Sequence, residues 1–178
     1  QNFAPENGDR LVLLGNALIE NEQQFGFLEY KLSSYWPEKH LTFRNLGWSG
    51  DTVFGEARSY YTNPPGPYDL LISQIKAAEP DWLIIGYGNV EAQKGAEGLE
   101  LFKEGMNHLL DSVETIGAKA ILLSTIPQVS AGTEDLLKLR NNAYLNYNQA
   151  MKEIAKKRKL TFIDVFDAFS TTSAAELY

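Results

Sequence analysis

Cysteine is absent from the 178 residues of this sequence, which excludes disulfide bonds, thiolate-ligated zinc and a thiol nucleophile. Histidine occurs only twice, and no apolar run is long enough to cross a bilayer. Positive charge is also scarce, because 16 Lys and Arg face 23 Asp and Glu and leave a net charge of -7. This balance argues against nucleic acid and anionic membranes as partners. We expect neither a bound metal nor a cofactor.

The remaining composition is that of one globular domain. The hydrophobic fraction is 44% and the charged fraction 22%, which suits a chain that buries a core. We therefore expect a single domain over residues 1–178. The first residue is Gln1 rather than Met, which fits either a removed signal peptide or a piece cut from a larger polypeptide. Of the two, export to the periplasm or beyond is the expectation.

Five apolar runs alternate with longer segments of helical periodicity. Because three of the runs are almost continuously apolar, they indicate strands covered on both faces, as in a parallel sheet. The runs are Leu11–Gly15, Leu41–Leu46, Trp82–Gly86, Ala120–Ser124 and Leu160–Val165.

Apolar spacing predicts helices over Phe25–Tyr35, Tyr68–Ala78, Leu99–Ile116 and Leu136–Lys157. Three prolines predict a loop at 63–67, and the segment 170–178 resembles a frayed or truncated end. Strands alternating with helices predict an α/β fold, namely a doubly wound sheet of five parallel strands with helices on both faces.

Ligands of such sheets bind beyond the carboxyl ends of the strands. Three strand ends are distinctive here, since each carries glycine followed by polar or small residues. They are Gly15–Leu18, Asn45–Thr52 and Gly86–Glu91. Glycine allows a sharp turn and a close approach of backbone to ligand, so three such ends in order favour a binding site.

These three blocks resemble those of the SGNH (GDSL) hydrolases, which have a flavodoxin-like three-layer sandwich. The family has Gly-Asp-Ser-Leu after its first strand, Asn-x-Gly-x-x-Gly after the second and Gly-x-Asn-Asp after the third. The segment Arg44–Thr52 is the best match and is similar to envelope proteins of planctomycete and verrucomicrobial type. The resemblance implies an esterase or lipase-type scaffold without a cofactor.

The resemblance also implies where catalytic groups should be. The family's nucleophilic serine falls on Ala17 and the preceding aspartate on Asn16. The family's Asp-x-x-His block, which supplies the base, has no match before Tyr178, and we expect the chain to lack that segment. His40 and His108 match no family position and are interpreted as surface residues.

The same comparison indicates that the residues of the oxyanion hole are only partly retained. Gly50 matches the glycine that donates its backbone N–H, whereas Val90 occupies the position of the amide-donating asparagine. Asn89 is one position early and could serve only if the turn is shifted. Ser49 is a weak alternative nucleophile, because a hydroxyl needs an adjacent base. The predicted pocket lining is Asn16, Ala17, Gly50, Asp51, Asn89, Val90 and Glu91.

Three functions remain open at this point. The first is a catalytically impaired SGNH-like domain that binds a carbohydrate, an acyl-bearing ligand or a protein partner. The second is an active esterase or deacetylase acting on an ester-bearing carbohydrate or lipid, which rests on analogy of fold and block order. The third is a purely structural module of a larger chain.

Overall fold

The computed structural model describes residues 3–59, 65–130 and 132–170. It contains a five-stranded sheet in which every pairing is parallel and the strand order is β2-β1-β3-β4-β5. The strands are β1 (Arg10–Gly15), β2 (Thr42–Gly47), β3 (Trp82–Gly86), β4 (Lys119–Leu123) and β5 (Thr161–Ile163). The predicted α/β class with five parallel strands is therefore confirmed, with boundaries shifted by at most two residues.

Six α-helices connect or follow these strands in the described residues. They are α1 (Ala17–Phe25), α2 (Phe27–Tyr35), α3 (Pro67–Ala78), α4 (Leu99–Ile116), α5 (Glu134–Arg158) and α6 (Phe166–Ser170). Short 3-10 segments cover Glu56–Ser59 and Glu91–Gly98, and the second is kinked at Gly95. No helix among the described residues is long and apolar enough to span a membrane.

The two faces of the sheet bury separate apolar clusters. Alternate residues of β1 show this division, since Val12 and Leu14 contact one cluster while Leu11 and Leu13 contact the other. The larger cluster packs against α3, α4 and α5, and the smaller against Ile19 of α1 and half-buried residues of α2. The sheet is therefore covered on both faces, as its continuous apolar strands predict.

Two local predictions were wrong in part. The helix expected over Phe25–Tyr35 is interrupted by Gly26, whose φ of 64° ends α1 and lets α2 begin. Phe25 and Tyr35 are exposed instead of facing the core, whereas Leu28 and Leu32 pack against the smaller cluster. Pro67 is not in a loop but is the first residue of α3, where its missing N–H leaves no helical hydrogen bond unmade. Residues 63, 64 and 171–178 lie outside the described residues.

Candidate functional site

Three strands end on glycine at the same level of the sheet. Gly15 is paired in register with Gly47 on one side and with Gly86 on the other. A Cβ added to Gly15 would lie 2.5 Å from the carbonyl oxygen of Gly86, so a larger residue does not fit there. The loops after β1, β2 and β3 consequently start side by side, on both sides of the point where the chain reverses direction across the sheet.

The loop after β1 is only one residue long. Asn16 is 2% exposed, and its carbonyl oxygen accepts a hydrogen bond from the Glu20 N–H at 2.9 Å, which begins α1. The Asn16 side-chain Nδ2 finds no acceptor among the described residues. Ala17 is exposed as the first residue of α1 and presents a methyl group at the end of β1. A methyl group can neither attack a carbonyl carbon nor donate a hydrogen bond.

The loop after β2 turns sharply at Gly50. The Asp51 N–H donates to the Trp48 carbonyl at 3.0 Å, and Gly50 adopts a φ of 78° that favours glycine. Gly50 itself is exposed. The Ser49 N–H donates to the Glu20 carboxylate at 3.2 Å, and the Ser49 hydroxyl donates to the same oxygen. Glu20 of α1 thus holds the second loop beside the first.

Asp51 lies at the centre of a buried polar network and is not open to a ligand. Its side chain has no exposed surface, and its Oδ2 accepts from Arg58 Nε at 2.7 Å and from the Tyr87 hydroxyl at 2.6 Å. Arg58 also donates to Gln74 at 2.5 Å and to the Leu46 carbonyl at 2.7 Å. Burial, followed by the Asp51 charge, raises the pKa of Tyr87 well above its usual range.

Glu91 joins the second loop to the third. One carboxylate oxygen accepts from the Val53 N–H at 2.9 Å and the other from the Gly88 N–H at 3.0 Å. Burial raises the pKa of Glu91, and the hydrogen bonds from these backbone donors oppose the rise. Since both oxygens already accept backbone N–H groups, Glu91 fixes the positions of the two loops rather than contacting a ligand.

A small cavity of about 110 Å³ opens where these loops meet α4. Gly50, Val90 and Glu91 line it together with the apolar side chains of Leu101 and Phe102. Of the seven predicted lining residues, those three line this cavity. The other four do not: Asn16 and Asp51 are buried, Ala17 is exposed at the end of β1, and Asn89 is half-buried.

Neither histidine lies at this edge. His40 is exposed and precedes β2, at the opposite edge of the sheet. His108 is exposed in the middle of α4 with its ring stacked on Tyr68 at 4.6 Å. Among the described residues, no three His, Asp or Glu side chains are grouped so that they could hold a metal ion.

Sequence reasoning missed the partners that hold the site in place. Arg58, Gln74 and Tyr87 come from three different segments, and no periodicity in the sequence indicates that Arg58 and Tyr87 meet at Asp51 or that Gln74 accepts from Arg58. The Glu20–Ser49 contact was missed for the same reason. The one available signal was that a buried charge requires an opposite charge as partner, and Arg58 is the nearest cation after Asp51.

Comparisons with known proteins agree with this architecture. The model of the GDSL-like lipase/acylhydrolase family matches residues 18–177. No relative was found among curated proteins. A catalytic mutant of an acetylxylan esterase from Geobacillus stearothermophilus superposes with a TM-score of 0.71 at 18% identity, covering 96% of this chain and 84% of that chain.

Two further solved structures are similar to a comparable degree. An alpha/beta hydrolase enzyme from the metagenome of Lake Arreo, Spain, gives a TM-score of 0.69 at 17% identity, covering 96% of this chain and 85% of that chain. A gut microbial diltiazem-metabolizing enzyme gives a TM-score of 0.64 at 18% identity, and the match covers 93% of this chain and 38% of that chain. At these identities the similarity shows a shared fold.

Proposed function

Since the chain belongs to the GDSL-like lipase/acylhydrolase family, we propose that it is a member that binds an acylated carbohydrate without hydrolysing it through a serine. The observation that carries the proposal is Ala17, exposed at the end of β1, where the family resemblance puts the nucleophile. Covalent acyl transfer needs a hydroxyl that a neighbouring base can activate. An alanine at this position removes the attacking atom altogether.

The oxyanion donors support a binding role. Gly50 keeps an exposed backbone turn that could donate its N–H to a carbonyl oxygen. Val90, in contrast, replaces the asparagine amide with an apolar side chain that lines the cavity. Hydrogen-bond donors without a nucleophile give only residual catalysis, whereas they can still orient a bound carbonyl group.

The dimensions of the cavity support a short acyl group. Its volume of about 110 Å³ is that of a few water molecules, since each water occupies about 30 Å³ in the liquid. Leu101 and Phe102 offer an apolar wall to a methyl group, and the exposed Gly50 also lines the cavity. The fold shared with an acetylxylan esterase supports a carbohydrate as the carrier of that acyl group.

Ser49 favours one alternative, an active esterase with a displaced nucleophile. Its hydroxyl donates to the Glu20 carboxylate and lies in the same turn as Gly50. A carboxylate removes a proton from serine far less readily than an imidazole does. The contact is accounted for equally well by holding the loop after β2 against α1.

The test measures turnover and binding on the same protein. We expect the unmodified chain to show no turnover of nitrophenyl acetate but to bind an acetylated xylo-oligosaccharide in calorimetry more tightly than the deacetylated form. Val90→Phe should fill the cavity and abolish that preference. Leu139→Phe, which enlarges an exposed apolar side chain that does not line the cavity, is the matched control and should retain it.

Two results would overturn the proposal. One is turnover that a serine-directed phosphonate blocks and that Ser49→Ala removes, which would establish the esterase instead. The other is equal or absent binding of the acetylated and deacetylated oligosaccharides, which would remove the acyl group from the recognised ligand.

A further inference from the structure

A second and larger cavity, of about 460 Å³, lies along the outer edge of β2. β2 is the terminal strand of the sheet, so nothing in the sheet covers its outer side. Residues of β2 and the following Trp48 line it, together with Gln74 of α3 and Gln23 of α1. We call this cavity the edge groove. Its volume is typical of small-ligand sites, which measure about 300–1,000 Å³.

Register places Arg44 on the α3 side of the groove. Arg44 is paired with Val12, and Val12 packs in the cluster that contains Ile75 and Ala78 of α3. Adjacent side chains of a strand point to opposite faces, so Asn45 faces α1 instead, where its Nδ2 donates to the Ile19 carbonyl at 2.6 Å. The groove therefore receives the Arg44 side chain from the same side as Gln74.

The charge in the edge groove is positive although the chain is acidic. Arg44 and Arg58 are the charged side chains that line it, and no carboxylate does so. Arg58 is neutralised by Asp51 at 2.7 Å. Arg44 donates one hydrogen bond to its neighbour, the Phe43 carbonyl, at 2.8 Å and has no carboxylate partner within residues 3–59, 65–130 and 132–170. A guanidinium with unused donors binds an oxyanion well.

Trp48 adds an aromatic surface to this charge. Its side chain is 45% exposed, and the Arg58 guanidinium lies 5.8 Å from the ring centroid. Gln74 uses its oxygen to accept from Arg58, which leaves its amide N–H groups to donate. An exposed indole, an amide and a free guanidinium together provide a surface for a ring, donors for hydroxyls and a partner for an anion.

We propose that the edge groove binds a sugar residue that carries a carboxylate or a sulfate, with Trp48 stacked on the ring and Arg44 paired with the anion. This inference rests on the proposed function, because it gives the acylated carbohydrate a second, charged residue. Trp48 lines the edge groove and Gly50 lines the smaller cavity, and one turn contains both residues.

An added peptide strand is a less suitable occupant of this edge. Side chains of the protein already bind two backbone groups on the outer side of β2, since Arg44 occupies the Phe43 carbonyl and Asn45 the Gly47 N–H. Strand addition depends on such backbone groups being free. A ligand recognised by side chains meets no such obstacle.

The experiment compares trisaccharides that differ in charge. A uronate trisaccharide, a sulfated trisaccharide and a neutral trisaccharide are titrated into the unmodified protein, with binding followed by amide and indole NMR shifts. We expect at least one acidic trisaccharide to bind, with affinity falling as salt increases and with the Trp48 indole signal moving. The uronate and sulfate arms identify which anion is recognised.

Arg44→Gln should weaken acidic binding about tenfold or more, because it removes a charge-assisted hydrogen bond. Arg140→Gln is the matched control, since Arg140 is exposed in a different groove, and it should leave binding unchanged. Equal binding of all three trisaccharides, no binding of any, or an unaffected Arg44→Gln would overturn the inference. If the acetyl preference at the Gly50 cavity persists in that case, only the charged subsite fails and the proposed function stands.

Discussion

A single carboxylate connects two of the three loops at the candidate site. Glu91 accepts backbone N–H groups from Val53 in the loop after β2 and from Gly88 in the loop after β3. It is 6% exposed, so solvent does little to stabilise its charge. The positions of Gly50 and Val90 relative to each other therefore depend on a group whose charged form is costly to bury.

The free energy of unfolding should therefore depend on pH through Glu91. Burial raises the pKa of Glu91 above its ordinary value of 4.5, so the folded protein holds this proton more tightly than the unfolded chain does. The contribution of Glu91 to the free energy of unfolding is then full below pH 4.5 and is lost as pH rises through the raised pKa. A tenfold difference in proton affinity between the two states corresponds to about 1.4 kcal/mol. The measurement is urea unfolding at a series of pH values. The free energy of unfolding of Glu91→Gln should fall less steeply with rising pH than that of the unmodified protein, since the amide does not titrate.

Glu97→Gln provides the control for this measurement. Glu97 is exposed on the same short 3-10 helix, and its replacement changes the net charge by the same amount. The control should keep the pH slope of the unmodified protein. Identical slopes in all three proteins would show that Glu91 does not titrate differently on folding.

At the scale of elements, α1 approaches the sheet through a glycine. A Cβ added to Gly47 would lie 2.6 Å from the Ile19 carbonyl carbon and against the Glu20 backbone nitrogen, and backbone atoms cannot turn aside as a side chain can. The position of α1 on β2 thus depends on the lack of a side chain at residue 47. The same packing brings Glu20 to Ser49.

We expect Gly47→Ala to lower the free energy of unfolding by about 2–3 kcal/mol, because it forces α1 away from β2. Gly66→Ala is a suitable comparison, since Gly66 has a φ of -66° and a Cβ there would lie 3.6 Å from its nearest neighbour. That variant should stay within about 1 kcal/mol of the unmodified protein. Equal stability of the two variants in chemical denaturation would contradict the close packing at Gly47.

The elements differ in how far the sequence alone predicts them. The runs Leu11–Gly15 and Trp82–Gly86 and the helix Leu99–Ile116 were predictable because they bury nearly every core-facing position. Helix α1 was missed because only Ile19 in it is fully buried, so its apolar periodicity is weak. The three loops could be placed at one edge from strand order, whereas the contacts of Arg58 and Glu20 depend on tertiary geometry that no local pattern encodes.

The whole molecule is built on strands that both apolar clusters share. Leu13 and Val12 are neighbours in β1, yet they are fully buried in opposite clusters. Loss of the strand would expose both clusters at once. The two faces of the sheet are for this reason one cooperative unit.

Variants on the two faces should accordingly shift the same transition. We expect Leu13→Ala and Leu109→Ala each to lower the free energy of unfolding by about 2–5 kcal/mol, because each side chain is fully buried and the two lie in different clusters. Leu139→Ala, at a side chain 66% exposed, should lose under about 1 kcal/mol. Calorimetry and circular dichroism should report one coincident transition in all of them; two separate transitions in either core variant would show that the faces unfold independently.

The row formed by Gly15, Gly47 and Gly86 also bears on how such a domain can change in evolution. The three loops of the site start from residues without side chains, so the level at which they leave the sheet is set by backbone pairing. Ala17 is exposed and Val90 is half-buried, so both can be replaced without repacking the core. Substitutions at such positions can thus remove reactive side chains from this scaffold, or restore them, while the strands that carry the loops stay the same.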